Sequence, residues 1–310
     1  MPSGRSQKIS DGAFFVPRHR HVRCIWKEAT LMVALETLKV AVIGAGTIGS
    51  ALARELALAG CDVRATRRRL DKVRALEELG VYLTSDNVEA VSGADIVFVV
   101  LKPHKVVPVL KAVGDALDGK PVVSLAAALD LDLLRQALPD VRWIRAMSNT
   151  AIPVREAFTM FAPSPETTEE DRAIVEAVFG LLGSYEEVED GYMDALTAMA
   201  GSGPAYIYTM LEALIYGGLR VGLPRDLTLR AAAHTAIGAS QLLLASGEHL
   251  AVLRDQVLTP GGVTIEGIFA LEEGQIRTAF MNAVKAATEK ALVLADETRR
   301  TIRKGVPPEV

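Results

Sequence analysis

Three glycines with the spacing G-x-G-x-x-G, Gly44, Gly46 and Gly49, lie between a short apolar run and a helical pattern. This spacing suits a dinucleotide phosphate. The first glycine allows a tight turn, the second lets the backbone approach a pyrophosphate, and the third permits close helix–strand packing. The N–H groups at the helix start would then bind the phosphates. A glycine turn without a ligand is the alternative, and the strand–turn–helix context disfavours it.

The end of the next predicted strand contains Thr66, Arg67, Arg68 and Arg69 and no carboxylate. An NAD site usually presents Asp or Glu there for the ribose 2′-hydroxyl, whereas guanidinium groups suit the 2′-phosphate of NADP. We therefore expect NADPH as the cofactor, with Arg67 as the contact, and NADH stays open. Arg68 and Arg69 could equally be solvated charges at a helix start.

Lys102, Pro103 and His104 follow the apolar strand pattern ADIVFVVL. The carboxyl end of such a strand lies near the nicotinamide end of a bound dinucleotide. Lys102 could act there as an acid, a charge partner or a cofactor contact. His104 titrates near neutrality and could be catalytic, although surface or capping use is the more common role for such a histidine.

The turn TPGGVT at 259–264 interrupts a region of good helix formers. A Gly-Gly turn before a helix offers backbone N–H groups and the positive end of the helix dipole, which suit a carboxylate. Thr264 is expected at the N-cap of that helix. Its hydroxyl could contact a substrate or only cap the helix, and spacing alone leaves both interpretations open.

These residues need elements that bring them together. Apolar runs alternate with helical patterns up to Met147, which is typical of a Rossmann-like doubly wound α/β sheet domain. Segment 70–80 predicts a helix closed by Gly80. Strands are expected over 38–46, 61–68, 94–101, 121–129 and 141–147.

Long Ala/Leu-rich helical patterns without strand signals begin near Met193. We assign 37–190 to an NADP-binding Rossmann domain and 191–300 to an all-α helical domain for substrate binding and dimerisation. Apolar residues on several sides of these helices favour a homodimer, because such faces must be buried somewhere. Residues 1–36 are expected to be a disordered leader, and 301–310 a tail.

The bulk properties exclude several classes of protein. A net charge of −4 with 23% charged residues does not favour binding to nucleic acid or to a membrane surface. The two cysteines, Cys24 and Cys61, cannot build a disulfide framework and fit a reduced, cytoplasmic protein. His19 and His21 beside Cys24 form an incomplete zinc set, so no metal is expected.

Five segments together resemble, in order and spacing, those of the pyrroline-5-carboxylate reductases, which reduce a cyclic imine to proline with NAD(P)H. The resemblance covers roughly residues 37–300. The glycine fingerprint alone is not specific, whereas P-G-G-x-T-x-x-G with D-A-L-T-A-x-x-G-S-G-P-A is. The segments are GAGTIG at 44–49, LKPH at 101–104, RAMSNT at 145–150, DALTAMAGSGPAY at 194–206 and LTPGGVTIEG at 258–267.

The resemblance implies a set of site residues and a homodimer, within a ring of dimers in some members. Thr264 is the best catalytic candidate, acting by orientation and polarisation because no general acid stands out. Substrate contacts are implied for Gly261, Gly262, Val263 and Thr264. Cofactor contacts are implied for Ile43, Gly44, Ala45, Gly46, Thr47, Ile48, Asn87, Lys102, Pro103 and, beside the nicotinamide, Ala127.

The chain departs from the family pattern at two places. Ser148 and Ala151 stand where M-P-N-T-P has prolines, and Ala128 stands where S-x-A-A-G has its glycine. Both changes are expected near the nicotinamide, so they leave the shape of the pocket and the identity of the substrate open. An NADP-dependent reductase of another small cyclic imine or keto acid is one alternative. A non-catalytic NADP-sensing protein is another, which the retained P-G-G-V-T disfavours.

Overall fold

The structure, a computed structural model, describes residues 35–304. The predicted leader lies outside the described residues apart from its last two positions, and with it lie His19, His21 and Cys24. Most of the predicted tail also falls outside. Within the described part of the chain, no helix is long and apolar enough to cross a membrane.

The sheet has eight strands in the order β3-β2-β1-β4-β5-β6-β7-β8. Neighbouring strands are parallel, except that β6 and β7 run antiparallel. The order reverses between β1 and β4, and this switch point is where doubly wound sheets bind ligands, at the carboxyl ends of the strands. The strands are β1 Lys39–Ile43, β2 Asp62–Thr66, β3 Tyr82–Thr84, β4 Ile96–Val99, β5 Pro121–Ser124, β6 Arg142–Met147, β7 Ala157–Pro163 and β8 Gly183–Glu187.

Helices cover both faces of the sheet and then continue without strands. A π-helix, Thr197–Gly201, separates α6 from α7. The helices of the sheet region are α1 Thr47–Leu58, α2 Asn87–Val91, α3 Pro103–Val113, α4 Leu131–Ala137 and α5 Glu169–Leu182. The following ones are α6 Met193–Leu196, α7 Gly203–Arg220, α8 Arg225–Ser246, α9 Leu250–Asp255, α10 Val263–Glu273 and α11 Ile276–Lys304. Short 3₁₀ helices span Leu35–Thr37, Leu70–Lys72, Arg74–Leu79, Gly114–Leu117, Ile152–Val154 and Asp190–Tyr192.

The predicted strand–helix alternation is confirmed, with local differences. The helix expected over 70–80 is a pair of 3₁₀ helices, which Gly80 ends in the left-handed conformation, φ 84°. Strands β3, β7 and β8 have no counterpart in the sequence pattern. β3 has only three residues, and β8, at the sheet edge, reads G-S-Y-E-E. Such strands depend on their neighbours rather than on their own apolar content.

The core of the protein lies on the two faces of the sheet. One cluster includes Phe98, Phe161 and Phe179, and the other is built around Trp143. The later helices contribute very little to either. α7, α9 and α10 contain no buried residue, although Tyr216 of α7 and Phe269 of α10 are among many exposed large apolar side chains there. Within the described part of the chain, the helical region therefore does not build a core of its own.

Candidate active site

The presence of glycine at each of the three loop positions has a different structural reason. Gly44 has φ +101°, and a Cβ there would lie 2.5 Å from the carbonyl oxygen of Val100. A Cβ on Gly49 would lie 2.2 Å from the carbonyl oxygen of Gly44. A Cβ on Gly46 would meet no atom within 4 Å. Packing therefore explains Gly44 and Gly49, whereas Gly46 faces open space in which a ligand can approach the backbone.

The start of α1 presents free backbone donors beside this space. The first helical hydrogen bond runs from Ser50 N to the carbonyl oxygen of Gly46 at 2.8 Å. The N–H groups of Thr47, Ile48 and Gly49 have no acceptor among residues 35–304. Orphan donors of this kind, at the positive end of a helix, bind phosphate. The loop thus fits the pyrophosphate of a dinucleotide.

Arg67 is anchored to the glycine loop. Its Nη1 donates to the carbonyl oxygen of Ala45 at 2.6 Å, and its backbone N donates to that of Thr84 at 3.3 Å. Arg68 and Arg69 are exposed and form no ion pair within the described chain. Because a guanidinium has five donors, Arg67 keeps others for a ligand at this end of the loop.

The other cofactor candidates lie at the same edge of the sheet. Asn87 begins α2 directly after β3, behind an N-cap at Asp86 whose carboxylate accepts from Val88 N at 2.8 Å. Lys102 is the exposed N-cap residue of α3, and Pro103 is its first residue. These three residues and Ala127, after β5, therefore follow strands on both sides of the switch point.

Some candidates can contribute only backbone atoms. Ile43 is 1% exposed and Ala45 is fully buried, so their side chains belong to the core.

His104 is half-buried in the first turn of α3 and has no hydrogen-bond partner in the described chain. Among residues 35–304, no group of three His, Cys, Asp or Glu could hold a metal ion.

The TPGGVT turn has a defined geometry. Gly262 N donates to the carbonyl oxygen of Thr259 at 2.9 Å, which closes a four-residue turn. Pro260 and Gly261, the latter at φ +67°, occupy the central positions as in a type II turn. A Cβ on Gly262 would lie 2.1 Å from Oγ1 of Thr259. Both glycines are therefore required by the turn itself.

Thr264 does not cap α10, which corrects the N-cap expectation. Gly262 takes the extended N-cap conformation, φ −82° and ψ 168°, and Thr264 is the second residue of the helix. Its hydroxyl makes no hydrogen bond to residues 35–304, and the N–H groups of Val263, Thr264 and Ile265 have no acceptor there. Val263 is 90% exposed. The turn thus offers a hydroxyl and three amides to a ligand, and no part of the chain between residues 35 and 304 covers them.

Comparison with known proteins matches the two parts of the chain separately. The family described as "Pyrroline-5-carboxylate reductase dimerisation" matches residues 190–294. The family described as "NADP oxidoreductase coenzyme F420-dependent" matches residues 39–128. The pyrroline-5-carboxylate reductase of Arabidopsis thaliana is 36% identical over 271 residues, covering 86% of this chain and 98% of the plant protein.

The chain belongs to the pyrroline-5-carboxylate reductase family. Pyrroline-5-carboxylate reductase 2 of Macaca fascicularis is 36% identical, covering 84% of this chain and 86% of that protein. The pyrroline carboxylate reductase of Plasmodium falciparum, solved with NADP bound, superposes with a TM-score of 0.78 at 28% identity, covering 84% and 99% of the two chains. The enzyme from Coxiella burnetii gives 0.76 at 30% identity, covering 83% and 98%.

The departures from the family pattern have visible consequences. Ala128 keeps a left-handed backbone, φ 59°, although it is an alanine. Ser148 is buried, and its hydroxyl lies 2.9 Å from that of Thr159 on β7. The serine is therefore satisfied by a neighbouring strand, and the alanine retains the backbone conformation that a glycine adopts more readily.

Ion pairs that the sequence motifs do not predict join the sheet to the helices. Arg145 on β6 is 3% exposed and donates to Oδ1 of Asp190 at 2.9 Å and Oδ1 of Asp194 at 2.6 Å. Arg299 of α11 pairs with Asp130 at the start of α4. Burial alone would raise the pKa of Asp130, but hydrogen bonds from Arg299 and Leu133 N hold that pKa below its usual value. No local pattern signals such pairs, because the partners are far apart in sequence.

Proposed function

We propose that this protein reduces 1-pyrroline-5-carboxylate to L-proline with NADPH, the last step of proline biosynthesis. The observation that carries the proposal is the TPGGVT turn, which leaves the Thr264 hydroxyl and neighbouring N–H groups without partners among residues 35–304, in a chain that also has an open dinucleotide loop. Membership of the reductase family supports it, as does the NADP in the Plasmodium falciparum relative.

The cofactor site in this proposal uses the residues at the carboxyl edge of the sheet. The N–H groups at the start of α1, beside Gly46, would hold the pyrophosphate, and Arg67 would hold the 2′-phosphate. Lys102, Pro103 and Ala127 line the nicotinamide half. Asn87 contacts the adenosine half after β3. When bound, NADPH supplies the hydride.

The substrate site uses the start of α10. The ring carboxylate accepts hydrogen bonds from the N–H groups that follow Gly261 and Gly262, where the helix dipole favours a negative charge. The Thr264 hydroxyl donates to the substrate, and Val263 packs against the ring. The substrate enters as a protonated iminium and brings its own proton, so catalysis rests on orientation and proximity.

A second copy completes the site in this proposal. Within residues 35–304, nothing covers the turn, and the apolar faces of the later helices pack into no core. Pairing of two helical regions into a homodimer would bury both, and dimers would assemble further into a ring. The dimerisation family that matches 190–294 supports the pairing. Multi-angle light scattering measures the oligomeric state. An active monomer would contradict the proposal that a second copy completes the site.

The enzyme is proposed to work in the cytoplasm. Cys61 is a buried free thiol, and burial raises its pKa, which keeps it protonated and unreactive. Such a residue fits a reducing compartment. Fractionation of the native cells with an antibody to the protein tests the location, and recovery with organelles would contradict it.

The test of function is oxidation of NADPH followed by absorbance with 1-pyrroline-5-carboxylate, with NADH in parallel. Proline as the product, and faster turnover with NADPH, is the expected result. The changed residues Ala128, Ser148 and Ala151 motivate one competitor, a reductase of another small cyclic imine or keto acid. A panel of such substrates separates the two. NADPH binding without turnover of any substrate would instead indicate a sensing protein.

A further inference from the structure

Glu55 is a buried carboxylate in the last turn of α1. Its side chain is 1% exposed, and the neighbouring Leu52, Ala53 and Leu56 are completely buried in the core. Taking a carboxylate out of water costs several kcal/mol, and a buried ion pair is often no more stable than a well-packed apolar replacement. Stability of the core therefore does not explain this residue.

Two arginines satisfy the carboxylate. Oε2 of Glu55 accepts from Nε of Arg155 at 2.7 Å, and Oε1 accepts from Nη1 of Arg54. Arg54 is the preceding residue of the same helix, so its bond connects α1 to nothing else. Arg155 is 100 positions further along the chain. The pair Glu55–Arg155 is thus a charged contact between α1 and a segment far away in sequence.

The backbone of Arg155 is itself strained. It has φ 58° and ψ 33°, at the end of the 3₁₀ helix Ile152–Val154. A left-handed conformation costs a non-glycine residue about 1–2 kcal/mol. A buried charge and a strained backbone therefore occur at one contact, and strain of this kind persists only where the surroundings impose it.

The strained residue ends a tightly bonded loop. This β6–β7 loop, residues 148–156, follows β6 at the carboxyl edge of the sheet. Arg155 N donates to the carbonyl oxygen of Ile152 at 2.9 Å, and Ala151 N donates to Oδ1 of Asn149 at 3.0 Å. Nδ2 of Asn149 then donates to the carbonyl oxygen of Ala200, in the π-helix, at 3.3 Å. Hydrogen bonds thus run from α1 through the loop to the helical region.

We propose that Glu55 is a positioning residue for the reaction. It holds Arg155, which sets the β6–β7 loop and Asn149 beside the nicotinamide half of the site. This inference rests on the proposed function. The phosphate donors begin at Thr47, eight residues and about 12 Å along the helix from Glu55. Loss of the carboxylate therefore disturbs hydride geometry and leaves cofactor binding intact.

The test compares Glu55→Gln and Arg155→Gly with wild type and with Arg54→Ala as the matched control. The two variants and their double variant are expected to lower kcat about tenfold to hundredfold, the loss caused by small misplacement of reacting groups. The double variant should be no worse than the single ones. The Kd of NADPH should stay at the wild-type value. Amide hydrogen exchange over 148–156 should accelerate in both variants and not in Arg54→Ala.

Several results would overturn the inference. One is a wild-type kcat with unchanged exchange in the loop. Another is a loss of kcat that is matched by an equal loss of NADPH affinity, which would place the role in α1. If Glu55→Gln fails to fold, Arg155→Gly decides, since glycine accepts the left-handed backbone. If the wild-type protein binds NADPH but reduces no imine, the proposed function fails, and the exchange measurement still decides the role of Glu55 in the loop.

Discussion

The guanidinium of Arg67 donates to the carbonyl oxygen of Ala45 at 2.6 Å, so the residue that follows β2 is tied to the glycine loop that follows β1. This contact places a permanent positive charge beside the loop. We expect Arg67→Ala to weaken NADPH binding about tenfold to hundredfold, the range for a hydrogen bond to a charged group. Fluorescence titration with NADPH and NADH measures it.

NADH is the internal control for Arg67, because it lacks the 2′-phosphate. Its affinity should change little, and Arg69→Ala should leave both cofactors unaffected. An equal loss for NADH would mean that Arg67 only supports the loop.

Gly46 and Gly44 should respond differently to the same methyl group. Gly46→Ala places its Cβ in open space and should keep the Tm while weakening NADPH binding. Gly44→Ala places its Cβ 2.5 Å from a carbonyl oxygen at φ +101° and should lower the Tm sharply. Calorimetry and cofactor titration on both variants separate the two effects. A Gly46→Ala variant with wild-type NADPH affinity would refute the pyrophosphate position.

Thr264 should matter for turnover and not for stability. Because Gly262 is the N-cap, Thr264→Val removes no capping bond and should leave the Tm near wild type. We expect kcat/KM for the imine to fall about tenfold to hundredfold, the loss of one hydrogen bond to a charged ligand. Thr264→Ser keeps the hydroxyl and should retain most activity. An unchanged kcat/KM in Thr264→Val would remove the catalytic role.

Ala128→Gly should stabilise the protein. The alanine is held at φ 59°, a conformation that glycine adopts freely, and the gain is expected to be about 1 kcal/mol in the free energy of unfolding. Urea unfolding measures it. Ala127→Gly is the matched control and should destabilise, because its φ is not positive and glycine only adds flexibility to the unfolded chain. Equal effects of the two substitutions would contradict the strain at Ala128.

Asp171 should make part of the stability depend on pH. Burial would raise the pKa of its carboxyl, but hydrogen bonds from Arg142 and Thr168 outweigh burial and hold that pKa below its usual value. The stabilisation is therefore present above about pH 4 and is lost as the pH falls through the folded pKa. At neutral pH, Asp171→Asn should lower the free energy of unfolding by about 3 kcal/mol, as is typical for breaking a buried ion pair.

Urea unfolding of Asp171→Asn and wild type at several pH values tests this. The difference between them should shrink as the pH falls below 4. Asp132→Asn, at a carboxylate 84% exposed, is the control and should change little at any pH. A difference that stays constant with pH would show that the ion pair is not the cause.

Local signals in the sequence were sufficient to predict much of the backbone around the two glycine turns of this protein. The spacing of Gly44, Gly46 and Gly49 after an apolar run determines a tight turn and an open helix start, because each depends only on backbone geometry nearby. The turn around Gly261 and Gly262 is local in the same way. The predicted NADPH and substrate residues come from such segments, and their roles stay predictions.

Only the tertiary structure determined the features that depend on contacts between residues far apart in sequence. Strand β8 forms because β7 pairs with it, not because its own polar residues favour a strand. Glu55 meets Arg155, and Arg145 meets Asp194, only after the sheet has assembled. The cap of α10 falls on Gly262 rather than Thr264, since the closed turn before it sets where helical geometry begins. Sequence thus determines local backbone and apolar pattern, whereas the pairing of buried charges requires the folded chain.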